Sequence, residues 1–378
     1  MKKGLILLAV GLFVLSAVAL GQGKFSGYMF GDYYYNVGRD SLFNHTAPGA
    51  NASASSAPGA KSFQAFQIRR IYFAYDNDIS EQFTTRFRLE SDQAATPGGS
   101  STVGTGDELA GSKIAPFVKD AYLTWKNIFA GSNFTFGIQP TGAFDISESA
   151  WQYRFLEKTI MDLRGIIPSR ELGVSLRGKL VSDGMVNYWV LVGNDNSGNN
   201  VALDKYKRYS VNLQFKPMSN FQATVYLDYK DAADKLISGS LKSNSTTLEA
   251  LFLNYWQPYV FNLGFEAFMS SQANQFTPTG STTPGSLNGL GWSLWGSYNF
   301  VPELAVVARY DSYDPNTNSA ANAKGDSRGY LIAGLSWKAD KNVSISPNVL
   351  YETYETPTGK PSIDPSVTAR LTFYYVFL

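Results

Sequence analysis

The chain has 378 residues, a formal charge of +1, no cysteine and a single histidine. Charged residues make up 17% and aromatic residues 15%, with 23 Tyr and 25 Phe, whereas soluble domains carry about 25% charge. This balance speaks against a nucleic-acid binder, which needs a basic excess. It also excludes disulfides and leaves no supply for a Cys/His metal cluster.

The chain opens "MKKGLILLAVGLFVLSAVALGQG". Lys2 and Lys3 form a positive start, Leu5 to Leu15 an apolar run, and Ala19 and Gly21 a small-residue cleavage pattern. Residues 1–21 are expected to be a secretory signal peptide, cleaved near Gly21–Gln22. Loss of the two lysines takes the charge from +1 to −1 for 22–378. That segment has no run of about 18 apolar residues, so no transmembrane helix is expected. An exported chain rich in Tyr and Phe and poor in charge fits an outer-membrane β-barrel, with aromatic girdles at both interfaces.

Segments with a period of two follow from end to end. "EQFTTRFRLESD" alternates Phe83, Phe87 and Leu89 with Arg86, Arg88, Glu90 and Asp92. "ELGVSLRGKL" sets Leu172, Val174 and Leu176 against Ser175, Arg177 and Lys179. "YVFNLGFEAFM" sets Leu263, Phe265 and Met269 against Asn262 and Glu266. "LGWSLWGSYNF" sets Leu290, Trp292, Leu294, Tyr298 and Phe300 against Ser293 and Ser297, with Trp295 as an exception. The final "SVTARLTFYYVFL" reads as a closing strand. About sixteen strands are predicted, centred near Met29, Ile71, Arg88, Tyr122, Phe136, Leu176, Val190, Val211, Val225, Leu251, Leu263, Leu294, Val306, Ile332, Ile345 and Leu371. The Leu251 strand is the least regular, because both its faces are apolar.

The connections alternate. "DNDISE", "NIFAGS" and "KADKN" are tight, whereas 38–62, 93–114, 140–170, 271–287 and 315–326 are long. Short periplasmic turns and long extracellular loops are the mark of an outer-membrane barrel. About sixteen strands leave an interior too wide for wall side chains to fill. The apolar faces are therefore expected to point to lipid and the polar faces to water.

Residues 140–170 break the pattern. "SAWQYRFLEKTIMDLRGIIPSREL" starts with a Ser149–Gln152 capping pair and continues with Phe155, Leu156, Ile160, Met161 and Leu163 at helical spacing. A loop this long is uncommon unless it is functional or disordered, and an apolar stripe must pack on something. An inward-folded loop with a short helix is predicted, the alternative being a cap over the barrel mouth. Its charges are mixed: Arg154, Lys158, Arg164 and Arg170 against Asp145, Glu148, Glu157, Asp162 and Glu171. In one helix, Arg154 would lie beside Lys158 and Glu157. On the wall, Arg86, Arg88, Arg177, Lys179 and Arg309 share the water-facing side with Glu90, Asp120, Asp228, Glu266 and Asp311. The expected pore lining is Arg86, Arg88, Glu90, Asp120, Glu148, Arg154, Glu157, Lys158, Asp162, Arg164, Arg170, Arg177 and Lys179. The cations on the third and sixth strands suggest a mild anion preference.

Enzyme and metal chemistry find little support. His45 lies in the low-complexity "NHTAPGANASASSAPGA" and reads as a solvated loop residue. "NDNSGNN" lacks the spacing and terminal Glu of a calcium loop. Glycine-rich phosphate loops are absent, and no cofactor is expected.

The stretches "FQIRRIYFAYDNDISEQFTTRFRLESD", "FVKDAYLTWK" and "WQYRFLEKTIMDLRGIIPSRELGVSLRGKL" resemble the phosphate-selective porin O and P family. The matching features are Arg69–Arg70, Glu90 and Asp92, the run Lys119 to Tyr122, Glu157-Lys158-Thr159, and Ser169-Arg170-Glu171 with Gly173. The match covers roughly residues 63–195. It implies a sixteen-stranded, usually trimeric, passive channel whose third loop narrows the pore. The balanced loop charges and the lack of a dense Lys cluster do not support phosphate specificity. The expected function is passive diffusion of small hydrophilic solutes or ions across the outer membrane. The alternatives are an anion- or phosphate-selective channel, or a barrel of another class: an enzyme, or a surface binder with a closed lumen.

Overall fold

In the computed structural model the described residues are 23–40, 61–91, 116–195, 204–278, 281, 283–318, 325–356 and 361–378. The expected signal peptide, His45 and most of "NDNSGNN" lie outside them.

Strand β1 (Lys24–Gly38) is followed by β2 (Gln64–Asp78), β3 (Phe83–Ser91), β4 (Pro116–Phe129) and β5 (Ser132–Pro140). Two short helices come next, α1 (Asp145–Trp151) and α2 (Ile160–Leu163). Then come β6 (Arg170–Lys179), β7 (Val186–Gly193), β8 (Arg208–Met218) and β9 (Phe221–Lys230). A small hairpin, β10 (Lys235–Ile237) with β11 (Ser240–Lys242), precedes β12 (Thr246–Gln257), β13 (Phe261–Phe276) and β14 (Gly285–Val301). The chain ends with β15 (Leu304–Asp314), β16 (Arg328–Asp340), β17 (Val343–Tyr354) and β18 (Ser366–Val376).

All but β10 and β11 join one closed antiparallel barrel of sixteen strands. Closure comes from β1 against β18, from Tyr28 opposite Val376 to Asn36 opposite Thr368. Closure removes the free edges that an open sheet would present. Each of the sixteen predicted centres falls inside a barrel strand. The β10–β11 hairpin was not predicted: at three residues a strand, it is too short to show a period.

The period-two pattern sorts the faces. Leu263, Met269, Leu290, Leu294, Tyr298 and Phe300 are exposed on the outside, and Asn262, Glu266 and Ser293 are buried inside. At the β4–β5 hairpin, Gly137 sits at φ +129, and a Cβ there would fall on the Ala121 carbonyl oxygen. Only glycine fits that approach.

The core lies inside the barrel, between the wall and residues 141–169. Trp151, Leu156 and Ile160 are fully buried, with Met161 nearly so. Trp151, Phe155 and Leu156 cluster with wall residues Phe30, Tyr72, Phe252, Trp295 and Val307. Phe144, Ile160 and Met161 meet Tyr226, Leu248 and Phe268. Leu163 meets Tyr330, Ile332 and Leu350. The loop is therefore folded inward and does not cap the mouth. This packing also explains β12: its inner residues Leu248 and Phe252 are apolar because they face the loop.

Candidate functional site: the inward loop and the facing wall

One expectation about the loop is corrected. Ser149 does not start a helix. It lies within α1, its hydroxyl donating to the Asp145 carbonyl at 2.8 Å. Gln152 ends that helix in the left-handed conformation, φ 61. Residues 152–159 are not helical, and α2 is a separate single turn. The apolar stripe is real, but its members are brought together by a tight turn between two helices. Arg154 consequently pairs with neither Lys158 nor Glu157. It reaches Glu148 at 3.2 Å and Asp162 at 3.2 Å, while Lys158 lies 3.7 Å from Asp162.

From β8 through β18 and on to β2 the loop is sealed to the wall by rings and hydrogen bonds. Asn212 donates to the Gly142 carbonyl at 2.8 Å, and Asn262 to the Ala150 carbonyl at 2.6 Å. Ser147 donates to Glu266 at 3.1 Å. Arg164 pairs with Glu352 at 3.0 Å. Arg309, Asp311, Glu266 and Asp228 point inward as predicted by register, yet they are buried and do not face open water.

Along β3–β6 the loop presents charge instead. Two wall carboxylates, Glu90 and Asp120, lie behind five cations. Arg70 and Lys119 each approach Glu90 at 2.9 Å. Arg88 lies 2.7 Å and Arg86 3.6 Å from Asp120, and Arg170 pairs with it as well. Both carboxylate side chains are 2% exposed, whereas Arg86 is 32% and Arg177 53% exposed. Glu148, at 34%, and Lys158, at 30%, look out from the loop, and Asp145 lies 3.6 Å from Arg177. Burial works to raise the Asp162 carboxyl, but Arg154, Lys158 and Lys119 outweigh it and hold it below its ordinary value.

The predicted residues thus separate. Arg86, Arg88, Glu148, Arg154, Lys158, Asp162, Arg170 and Arg177 gather on this side of the loop. Glu90 and Asp120 lie beneath the cations. Glu157 is turned away, buried, with the Tyr330 hydroxyl donating to it at 3.3 Å. Arg164 is buried against Tyr330 and Glu352. Lys179 sits exposed at the far end of β6.

Two contributors escape a period-two reading. The register slips between Phe30 and Gly31 opposite β2, so Arg69 and Arg70 both face inward. A second slip, between Arg88 and Leu89 opposite β4, turns Lys119 and Asp120 inward together. Such bulges place two consecutive side chains on one face. The adjacent charges of Arg69–Arg70 and Lys119–Asp120 were the available signal.

No family model matches the chain, and no curated protein matches it either. Solved structures do. DcaP, an outer-membrane channel of Acinetobacter baumannii, aligns over 94% of this chain and 97% of its own, at 14% identity and TM-score 0.64. An anion-selective porin from Comamonas acidovorans covers 94% and 99%, at 12% identity and TM-score 0.61. OmpF of Salmonella typhi, solved with daunomycin, covers 94% and 97%, at 12% identity and TM-score 0.59. The chain has the sixteen-stranded porin fold. In this porin fold, the sealed arc and the charged arc divide the wall between them.

Proposed function

We propose that the chain is an outer-membrane porin, residues 22–378 after signal-peptide removal, through which small hydrophilic solutes or ions diffuse passively. The observation that carries this reading is the one-sided seat of the loop. Rings and hydrogen bonds close it against β8–β18, β1 and β2, whereas paired charges, the most open of them Arg86, Arg177, Glu148 and Lys158, lie between it and β3–β6. Solutes pass between Glu148, Arg154, Lys158 and Asp162 on one side and Arg86, Arg88 and Arg177 on the other.

A mild anion preference follows from the same arc. Five cations share the buried carboxylates Glu90 and Asp120, with Asp76 also 3.6 Å from Arg86, so cations outnumber carboxylates on this wall. Of the residues that carry the porin O and P resemblance, Arg69 reaches the loop main chain, while Arg70 and Lys119 pair with Glu90 and Arg170 with Asp120. A homotrimer is the expected assembly by that resemblance.

The test is single-channel recording of refolded protein in a planar bilayer under a salt gradient. Discrete steps with an anion-sign reversal potential are expected. Silence from folded protein would replace the channel with a closed-lumen binder, and a cation-sign potential would assign selectivity to the loop acids.

A further inference from the structure

The turn between α1 and α2 is not helical, so its carbonyls lack helical partners, yet it is buried. Buried carbonyls must find donors: those of Tyr153 and Thr159 accept main-chain N–H groups, and side chains serve the four at 155–158. Arg69 of β2 donates to the Phe155 carbonyl and, at 3.1 Å, to that of Leu156. Arg370 of β18 donates to the Leu156 carbonyl at 2.5 Å. The Trp151 indole N–H donates to the Glu157 carbonyl at 2.8 Å. Arg309 of β15 donates to the Lys158 carbonyl.

Each wall guanidinium is in turn fixed from behind. Arg69 lies 2.5 Å and Arg370 3.9 Å from Asp32 of β1. Arg309 lies 2.5 Å from Asp311, and Arg370 also donates to Asn348 at 3.1 Å. A guanidinium spreads five donors over a rigid planar fork, so one edge holds a carboxylate while the other reaches a carbonyl; the three donors of a lysine radiate from a single atom and cannot span the two.

We propose that Arg69, Arg309 and Arg370 are positioning residues that set the width of the passage by gripping the main chain of 155–158. This deepens the channel reading and rests on it for its effect on conduction. The grip addresses carbonyls, which every residue carries. Charges that face the passage at 154, 158 and 162 can therefore change without releasing the loop, so selectivity and width are set by separate groups.

The double variant Arg309→Lys, Arg370→Lys keeps the charge opposite Asp311 and Asp32 and removes the fork. Folded barrel is verified by circular dichroism before recording. Single-channel steps at least twofold larger, with a noisy open level, are expected. The chain has no cysteine, so Phe155→Cys with Tyr374→Cys, whose rings stack at 5.1 Å, gives one tether site. A short bifunctional thiol linker there should return the lysine variant to wild-type steps, which a damaged barrel would not do. Steps and noise like wild type in the untethered variant would overturn the proposal.

A second readout does not need conduction. Trypsin should cut after Arg154 and Lys158 in the variant and spare them in the wild type. Equal resistance overturns the grip even if the protein conducts. Cutting only in the variant upholds the grip even if the wild type is electrically silent. The single variant Arg309→Lys, expected to show the same changes to a smaller degree, serves if the double variant does not fold, and wild-type behaviour in it counts against the proposal equally.

Discussion

Trp151 stands edge-on to Trp295 of β14, ring centroids 5.2 Å apart and planes at 63°. The Arg309 guanidinium covers the same indole at 5.4 Å. A fully buried Trp cut to Ala costs about 3–5 kcal/mol. In Trp151→Ala that loss should fall on the loop, since no barrel strand depends on Trp151 for its pairing. Hydrogen exchange at 150–163 should accelerate while exchange in β13–β15 stays slow. Acceleration spread evenly over the barrel would show that loop and wall unfold together.

Asp120 is the shared counter-charge of Arg86, Arg88 and Arg170. Removing one member of a fully buried ion pair costs about 3–5 kcal/mol; the cost here is smaller, because Arg86 is partly exposed and keeps Asp76 as a partner. Asp120→Asn should lower thermal stability and shift the reversal potential toward anions. Arg177→Ala removes an exposed charge, so it should shift the potential toward cations with little change in melting. Opposite shifts from the two variants are the result to look for in bilayer recordings.

Loop acidity sets a pH window. Burial would raise Glu157, but Arg370, Arg69 and the Lys158 N–H outweigh it and lower its carboxyl. Carboxyls held below their unfolded values stabilise fully above the ordinary range, about 4, and lose that contribution as pH falls through the folded value. The hold of Glu157 on the loop should therefore be intact down to about pH 5 and weaken below about 4, and open-channel noise should rise in that lower range. Onset of noise above pH 5 would mean that other groups hold the loop.

Gly137→Ala tests the wall. At φ +129, with the Ala121 carbonyl where a Cβ would sit, the β4–β5 pairing cannot keep its register. Refolding yield and melting temperature should both fall. Gly239 also has a positive φ, +78, but nothing within 4 Å of its Cβ position. Gly239→Ala should cost less, the strain of the left-handed backbone being its main penalty.

The strands were legible because alternation of greasy and polar side chains is local, and sixteen centres survive intact. The inward loop was legible too, through Trp151, Phe155, Leu156 and Ile160. Its internal shape was not. Helical spacing in 155–163 arises from a turn whose carbonyls are satisfied by Arg69, Arg309 and Arg370, donors 86, 151 and 214 residues away in sequence. Bulges were also invisible, since a slip in pairing depends on the neighbouring strand. Without them Arg70 and Lys119 are assigned to the wrong face or overlooked.

Asp32 has a consequence for the order of assembly. It lies on the first strand and binds Arg69 on the second and Thr372 and Arg370 on the last, the Thr372 contact spanning 340 positions in sequence. Contacts this distant in sequence form late, because the chain entropy between them must be lost first. Arg370 reaches the Leu156 carbonyl only once the final hairpin has joined the first. The filter is thus locked by the same event that seals the cylinder. In a refolding time course, protection of Arg154 and Lys158 from trypsin should be the last signal to appear, and an unfinished barrel would stand wide open.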